Sequence, residues 1–288
     1  ITDPTLFSEA NATSIARWEF TDSDDADLGY TFSKPSLVRL ANGKWGVIVG
    51  NGLNATEADG NASSSGNGVI FILDAEDGSL IAKLDTKQGT ADDPEGLSRP
   101  NGIIGTSVVD EDGDFIVDRL YAGDLFGNVW AFDLSSSNPS QWASAYGSAN
   151  NPDPLFVAIA NSIEQPITSD LKVKSHPSQE GFMVYFGTGK YLGKSDLTDQ
   201  SQQTFYAIWD RMGTNSDGFT RSRLLEQTIT EYATASTDLR GRVVSEYPIV
   251  WDDGSSPQGA EEKLGWYIDL PEAGERVHQA PTLRDGRV

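Results

Sequence analysis

Three times in this chain an apolar strand ending in glycine is followed by an aromatic-rich strand ending in aspartate. The pairs are Val47–Gly50 with Val69–Asp74, Leu120–Gly123 with Asn128–Asp133, and Val184–Gly187 with Thr204–Asp210. Weaker copies stand at Arg17–Asp22 and at Gly265–Asp269. Self-similarity on this scale restricts the fold to architectures built by repetition, and strands rather than helices are the repeated part. The strand-ending aspartates at positions 22, 74, 133, 210 and 269 are separated by 52 to 77 residues. A four-stranded blade with insertions between strands needs about that much chain, so the expected fold is an all-β propeller. Asn42-Gly43, Asp77-Gly78, Gly127-Asn128 and Asp253-Gly254 supply turn signals where blade edges belong. A sandwich of unrelated hairpins is the competing architecture, but it has no need of such regular spacing. Asn54–Asn67 reads as an Asn/Ser/Gly-rich insertion in the first complete blade, and short helical pieces are expected at Leu155–Ser162 and Leu224–Ala233.

Composition narrows the function. The chain has 288 residues, enough for one large all-β domain over residues 1–288, and a formal charge of −22. Such an excess of carboxylates opposes binding to nucleic acid and to anionic lipid, while it attracts divalent cations. Cysteine is absent, which removes thiol catalysis, zinc-thiolate sites and internal disulfides. No segment is apolar enough to span a bilayer as a helix. Both ends read as cut from a longer polypeptide: the first residues open inside a strand-and-turn unit, and Pro281–Val288 reads as a turn entering a new strand.

One segment carries chemistry. Asp110-Glu111-Asp112-Gly113-Asp114-Phe115-Ile116-Val117-Asp118 places aspartates at loop positions one, three, five and nine, with the Ile116 carbonyl at position seven. That is the ligand spacing of an EF-hand-like loop, in which Ca²⁺ gathers six to eight oxygens from a tightly curled backbone. Two places depart from the pattern. Phe115 stands where position six is normally glycine, and Tyr121 replaces the bidentate glutamate at position twelve. Gly105–Val109 and Arg119–Gly123 read as strands, so the loop is expected on a β-hairpin rather than between helices. The metal ligands expected are Asp110, Asp112, Asp114, Ile116 and Asp118, and the ion is Ca²⁺. The alternative is an acidic turn without an ion, since aspartate-rich turns are common.

Taken in order, these segments resemble the C-terminal β-propeller of the PilC/PilY family of type IV pilus biogenesis factors and tip adhesins. The likeness runs from about Trp18 to Val288. It is carried by Trp18–Asp22 with Asp27–Tyr30, Asn42–Trp45, Gly50–Gly52, Asp110–Asp118 running into Tyr121–Trp130, Gln165–Ile167, Phe186–Leu192 and Gly274–Val277. The resemblance implies that calcium occupancy influences pilus extension and retraction, and that the protein contributes to host or surface attachment. It implies pilins or minor pilins and a host or surface receptor as partners, and a place at the bacterial surface, on the pilus or the outer membrane. The family's adhesive N-terminal region has no counterpart in this sequence, and the closing blade reads as incomplete.

Two rival functions fit the same pattern: an extracellular ligand-binding propeller with a structural calcium, and an enzyme. Asp74-Ala75-Glu76-Asp77-Gly78 echoes the blade turn of quinoprotein dehydrogenases, and the expected fold is quinoprotein-like. An enzyme of that type needs a bound PQQ, often beside a vicinal cysteine pair that this chain lacks, so a non-enzymatic role is expected. Asp22–Asp27 lacks alternating ligand spacing and reads as a solvated turn. Gly187-Thr188-Gly189-Lys190 lacks the P-loop spacing. His176 and His278 have no nucleophile motif beside them. The tryptophans at 18, 45, 130, 209 and 266 fall in repeat strands and are expected in the core.

Overall fold

The computed structural model describes residues 4–57, 60–213, 220–233, 240–252, 262–284 and 288. Three sheets of four or five strands follow one another along the chain. The first joins Ser36–Arg39, Trp45–Gly50, Val69–Asp74 and Leu80–Asp85 in sequence order, each strand antiparallel to the last. The second runs through Ile103–Val109, Arg119–Asp124 and Asn128–Asp133, whose far edge takes both Ala143–Ser144 and Phe156–Val157. The third comprises Lys172–Ser175, Phe182–Gly187, Thr204–Asp210 and Gly265–Asp269, closed by Leu225–Gln227 in parallel. These are successive propeller blades, and the repeated glycine and aspartate strands are the second and third of each.

Alternation along the strands explains why they are apolar on both faces. In the second sheet Leu120, Ala122, Trp130 and Phe132 pack with Leu40, Ile48, Ile70 and Ile72 of the first. The intervening Tyr121, Val129 and Ala131 face the third sheet and meet Val184, Phe186, Tyr206 and Ile208. A sheet held between two others has no solvated face, so the period-two pattern disappears into a continuous hydrophobic run. Each fully buried Val, Leu, Ile or Phe contributes roughly 1.5–3 kcal/mol. Trp18 and Phe20 cover the outer face of the first sheet, over Val69, Phe71 and Leu73.

The repeat residues have identifiable jobs. A Cβ added to Gly50 would lie 2.3 Å from the Ile103 carbonyl oxygen, and one on Gly187 would lie 2.2 Å from Val277 Cβ. Glycine therefore ends these strands because the next segment packs directly on the backbone. The aspartates close the third strands by accepting from the amide two residues on. Asp74 accepts from Glu76, Asp133 from Ser135 and Asp210 from Met212, each at 2.9 Å. This is the local turn that aspartate side chains favour.

Trp45, expected in the core, is 56% exposed at the start of its strand, and four segments also differ from expectation. Arg17–Asp22 forms no strand, because it lies over the first sheet through Trp18 and Phe20 rather than pairing with an edge. Gly265–Asp269 does not begin another sheet but completes the third. Leu155–Ser162 and Leu224–Ala233 are not helical; they contain Phe156–Val157, Ile159–Ala160, Leu225–Gln227 and Ile229–Ala233, each paired with a neighbouring strand. Phe156–Val157 and Leu225–Gln227 take open sheet edges, Ile159–Ala160 and Ile229–Ala233 close two-stranded hairpins, and β-branched residues favour both outcomes. The Asp253-Gly254 turn, and residues 285–287 of the final segment, lie outside the described residues.

His176 is held in an aromatic slot, 4.4 Å from Trp209 and 4.3 Å from Trp251 between ring centroids. Its Nδ1 accepts from the Gln179 amide at 2.9 Å, which leaves the proton on Nε2. Burial holds its pKa below the ordinary value, favouring the neutral ring. That stabilisation is complete above the unfolded-state pKa, about 6.5, and is lost as pH falls through the lowered folded value. A His176→Gln variant should therefore show a shallower loss of melting temperature between pH 7.5 and pH 5 than the parent. Equal slopes in the two proteins would remove His176 from the acid response.

Candidate metal centre

The acidic loop caps the hairpin between Ile103–Val109 and Arg119–Asp124, where Val109 faces Arg119. Its curl is made by the aspartates themselves. Asp110 accepts from the Gly113 amide through one oxygen at 2.7 Å and from the Phe115 amide through the other at 2.8 Å. Asp112 accepts from Asp114 N at 3.1 Å, Asp114 from Ile116 N at 2.8 Å, and Asp118 from Glu111 N at 2.8 Å. Phe115 takes the left-handed backbone that glycine usually supplies at this place, with φ 68°, and its ring is 87% exposed.

The structure gathers three of the expected ligands. Carboxylate oxygens of Asp110, Asp112 and Asp118 lie within 4.8 Å of one another. Asp114 stands outside that trio, and its Oδ1 is turned to the Ile116 amide. Ile116 lies on the same curl, half-buried, immediately before the Val117 seam. Among the described residues no Lys or Arg forms an ion pair with any of the four aspartates. Burial pushes the Asp118 carboxyl above its ordinary pKa, and the charges of Asp112, Asp114 and Asp110 push the same way. A hard divalent cation would relieve this repulsion, and a donor set made only of oxygens suits Ca²⁺ or Mg²⁺ rather than a softer metal.

Nothing in the sequence marks where this loop is anchored. Val117 donates to the Arg39 carbonyl of the first sheet at 2.9 Å, and the Asp118 carbonyl accepts from Leu134 N at 2.7 Å within the second. Arg119 crosses to the third sheet, where its Nη2 meets Asp210 at 2.8 Å. The guanidinium is 6% exposed and Asp210 is 0% exposed. Tyr121 also donates to Asp210, at 2.6 Å, and so does Tyr146. Burial works against the Arg119 charge, but Asp210 beside it outweighs that and raises its pKa. Burial and the same carboxylate push up both tyrosines. Three consecutive residues thus tie the loop to all three sheets. A lone arginine after an acidic run gives no sign in sequence that its partner is 91 residues away.

The other acidic cluster is differently employed. Lys83 Nζ lies 2.7 Å from both Asp25 and Asp27, and Asp24 accepts from the Thr21 amide at 2.8 Å.

Comparison with known proteins agrees with the fold. A family model described as the PilY1 β-propeller domain matches residues 19–239. A type IV pilus biogenesis factor PilY1 homolog of Xylella fastidiosa is 36% identical over 299 residues, covering 100% of this chain and 18% of the relative. The type IV pilus biogenesis factor PilY1 of Pseudomonas aeruginosa PAO1 is 34% identical over 278 residues, covering 88% of this chain and 22% of the relative. The chain thus spans about a fifth of the length of these curated relatives, which are named as biogenesis factors and not as enzymes. The crystal structure of the P. aeruginosa PilY1 C-terminal domain matches with a TM-score of 0.74 and 31% identity, covering 91% of this chain and 55% of that one. No helix among the described residues is long and apolar enough to cross a membrane. With matched sequence and matched sheets extending over most of its length, the chain belongs to the PilY1 β-propeller family of type IV pilus biogenesis factors.

Proposed function

We propose that this chain is a calcium-binding propeller that supports type IV pilus assembly, adjusting the balance of extension and retraction and contributing to surface or host-cell attachment. The observation that carries the reading is the aspartate trio, without a salt bridge among the described residues, in a loop that Val117–Arg119 tie to three sheets. Ca²⁺ would take oxygens from Asp110, Asp112 and Asp118, with Asp114, the Ile116 carbonyl and water completing the shell. Neutralising the carboxylates orders the loop, and the loop in turn fixes Val117–Arg119. Pilins or minor pilins, and a receptor on a host or surface, are the partners the reading requires. The protein then works at the cell surface, in association with the pilus, and has no enzymatic role.

Calorimetric titration of chelator-stripped protein should show one Ca²⁺ site, with Mg²⁺ competing poorly because the smaller ion keeps its waters. Saturation to about 100 times Kd should add about 2.7 kcal/mol, a melting shift of roughly 5–10 °C. Asp112→Ala should weaken binding at least tenfold, and Asp114→Ala by less if Asp114 joins the shell only on binding. Unchanged calcium affinity in Asp112→Ala would sink the ligand assignment. Capture of minor pilins by the calcium-loaded parent but not by Asp112→Ala would join the ion to the pilus role. Calcium binding without pilin capture would favour a ligand-binding propeller with a structural ion.

A further inference from the structure

A second site lies away from the acidic loop, where the first strands of the three sheets come together. A notch of about 280 Å³ opens there, lined by Lys34, Ser36, Thr106, Ser107, Asp170 and Lys172 among others. The walls approach closely: a Cβ on Gly105 would lie 2.6 Å from Asp170 N, and Ser107 donates to the Leu171 carbonyl. The notch is therefore built by the packing of the second sheet against the entry to the third.

The Ser107 hydroxyl serves the Leu171 carbonyl and the Thr106 amide serves Asp170, but the Thr106 hydroxyl and the two lysines are left over. The Thr106 hydroxyl is buried in a residue only 7% exposed and has no hydrogen-bond partner. Lys44, Lys83, Lys87 and Lys190 each have a carboxylate within 4.0 Å. Among the described residues neither Lys34 nor Lys172 has one, although both act electrostatically on Asp170. In a chain of charge −22, two free ammonium groups beside one carboxylate make a local positive excess. Screening over about 8 Å at physiological salt isolates that excess from the acidic surface beyond it. Buried hydroxyls without partners are costly, and a ligand rich in acceptor oxygens would recover the loss.

We propose that this notch binds a small oxyanion, a carboxylate or a phosphate, through Lys34, Lys172 and the Thr106 hydroxyl. The ammonium groups supply charge, and the hydroxyl fixes orientation. Asp170 limits the net charge accepted and can receive a hydrogen bond from a protonated or hydroxyl-bearing ligand. The site is independent of the calcium reading, since it shares no residue with the acidic loop.

The test titrates the protein with inorganic phosphate and with malonate at constant ionic strength, chloride serving as the reference. Saturable one-to-one binding by either anion is expected, with a raised melting temperature. Lys34→Gln and Lys172→Gln should each weaken it at least fivefold, and Thr106→Val about threefold. Lys174→Gln, on the same strand as Lys172, should leave it unchanged, as should Asp112→Ala in the acidic loop. The lysines are exposed, so these variants should keep the parent's melting temperature in chloride. Binding that never saturates, or that ignores Lys34 and Lys172, would overturn the proposal and leave the Thr106 hydroxyl to water. Loss of binding in Asp112→Ala would overturn it as well, by placing the anion on a metal.

Discussion

Replacing Arg119 by alanine is expected to cost about 3–5 kcal/mol, one of the two largest losses from a single substitution in this chain. The loss comes from what stays behind. Asp210 is fully buried, and it would keep Tyr121, Tyr146 and the Met212 amide as donors but lose the one cation paired with it among the described residues. A buried carboxylate stripped of its counter-charge must either hold its charge in a poor solvent or take up a proton. The double substitution Arg119→Met with Asp210→Leu removes both charges but leaves the Tyr121 and Tyr146 hydroxyls and the Met212 amide without their acceptor, so it should recover only part of the loss. Urea denaturation of the four proteins in the cycle gives the coupling directly. A loss below about 1 kcal/mol for Arg119→Ala would mean that water reaches Asp210 and that the pair does not hold the second and third sheets together.

A comparable loss, about 3–5 kcal/mol, is expected for Asp124→Ala. Asp124 is fully buried and accepts from five donors. These are the Asn101 and Asn128 side chains at 2.9 Å, the Trp130 indole at 2.8 Å, and the Phe126 and Asn128 amides at 2.9 Å. Truncation leaves those donors unpaired and opens a gap under Trp130. Asp124→Asn keeps the shape but turns an NH₂ toward a ring of donors, so it should recover little. Thermal melting of both variants decides the point: if Asp124→Asn melts with the parent, one acceptor oxygen suffices and the carboxylate is not required.

Much of the architecture could be read from periodicity. The glycine that ends Val47–Gly50 and the aspartate that ends Val69–Asp74 mark real strand ends, because close packing and a side-chain turn require those residues. Spacing also brought Asp110, Asp112 and Asp118 to one place, since a short loop determines its own geometry. What could not be read depends on distant chain. Nothing local to Gly265–Asp269 says that it pairs with Thr204–Asp210 rather than opening another sheet. Nothing local to Leu225–Gln227 favours a parallel strand over a helix. The role of the residue after each repeated glycine is not legible in the sequence either. Asn51, Asp124 and Thr188 are all fully buried polar groups, and their partners come from other strands.

The separation between Arg119 and Asp210 also sets an order of events. A chain threaded out amino end first exposes residue 119 long before residue 210 is free to meet it. Until then the second sheet carries half of a salt bridge on a face that also displays Tyr121, Val129 and Ala131. That sheet cannot mature alone. The expected cooperative unit of this molecule is thus a pair of neighbouring blades, with each new blade finishing the one before it.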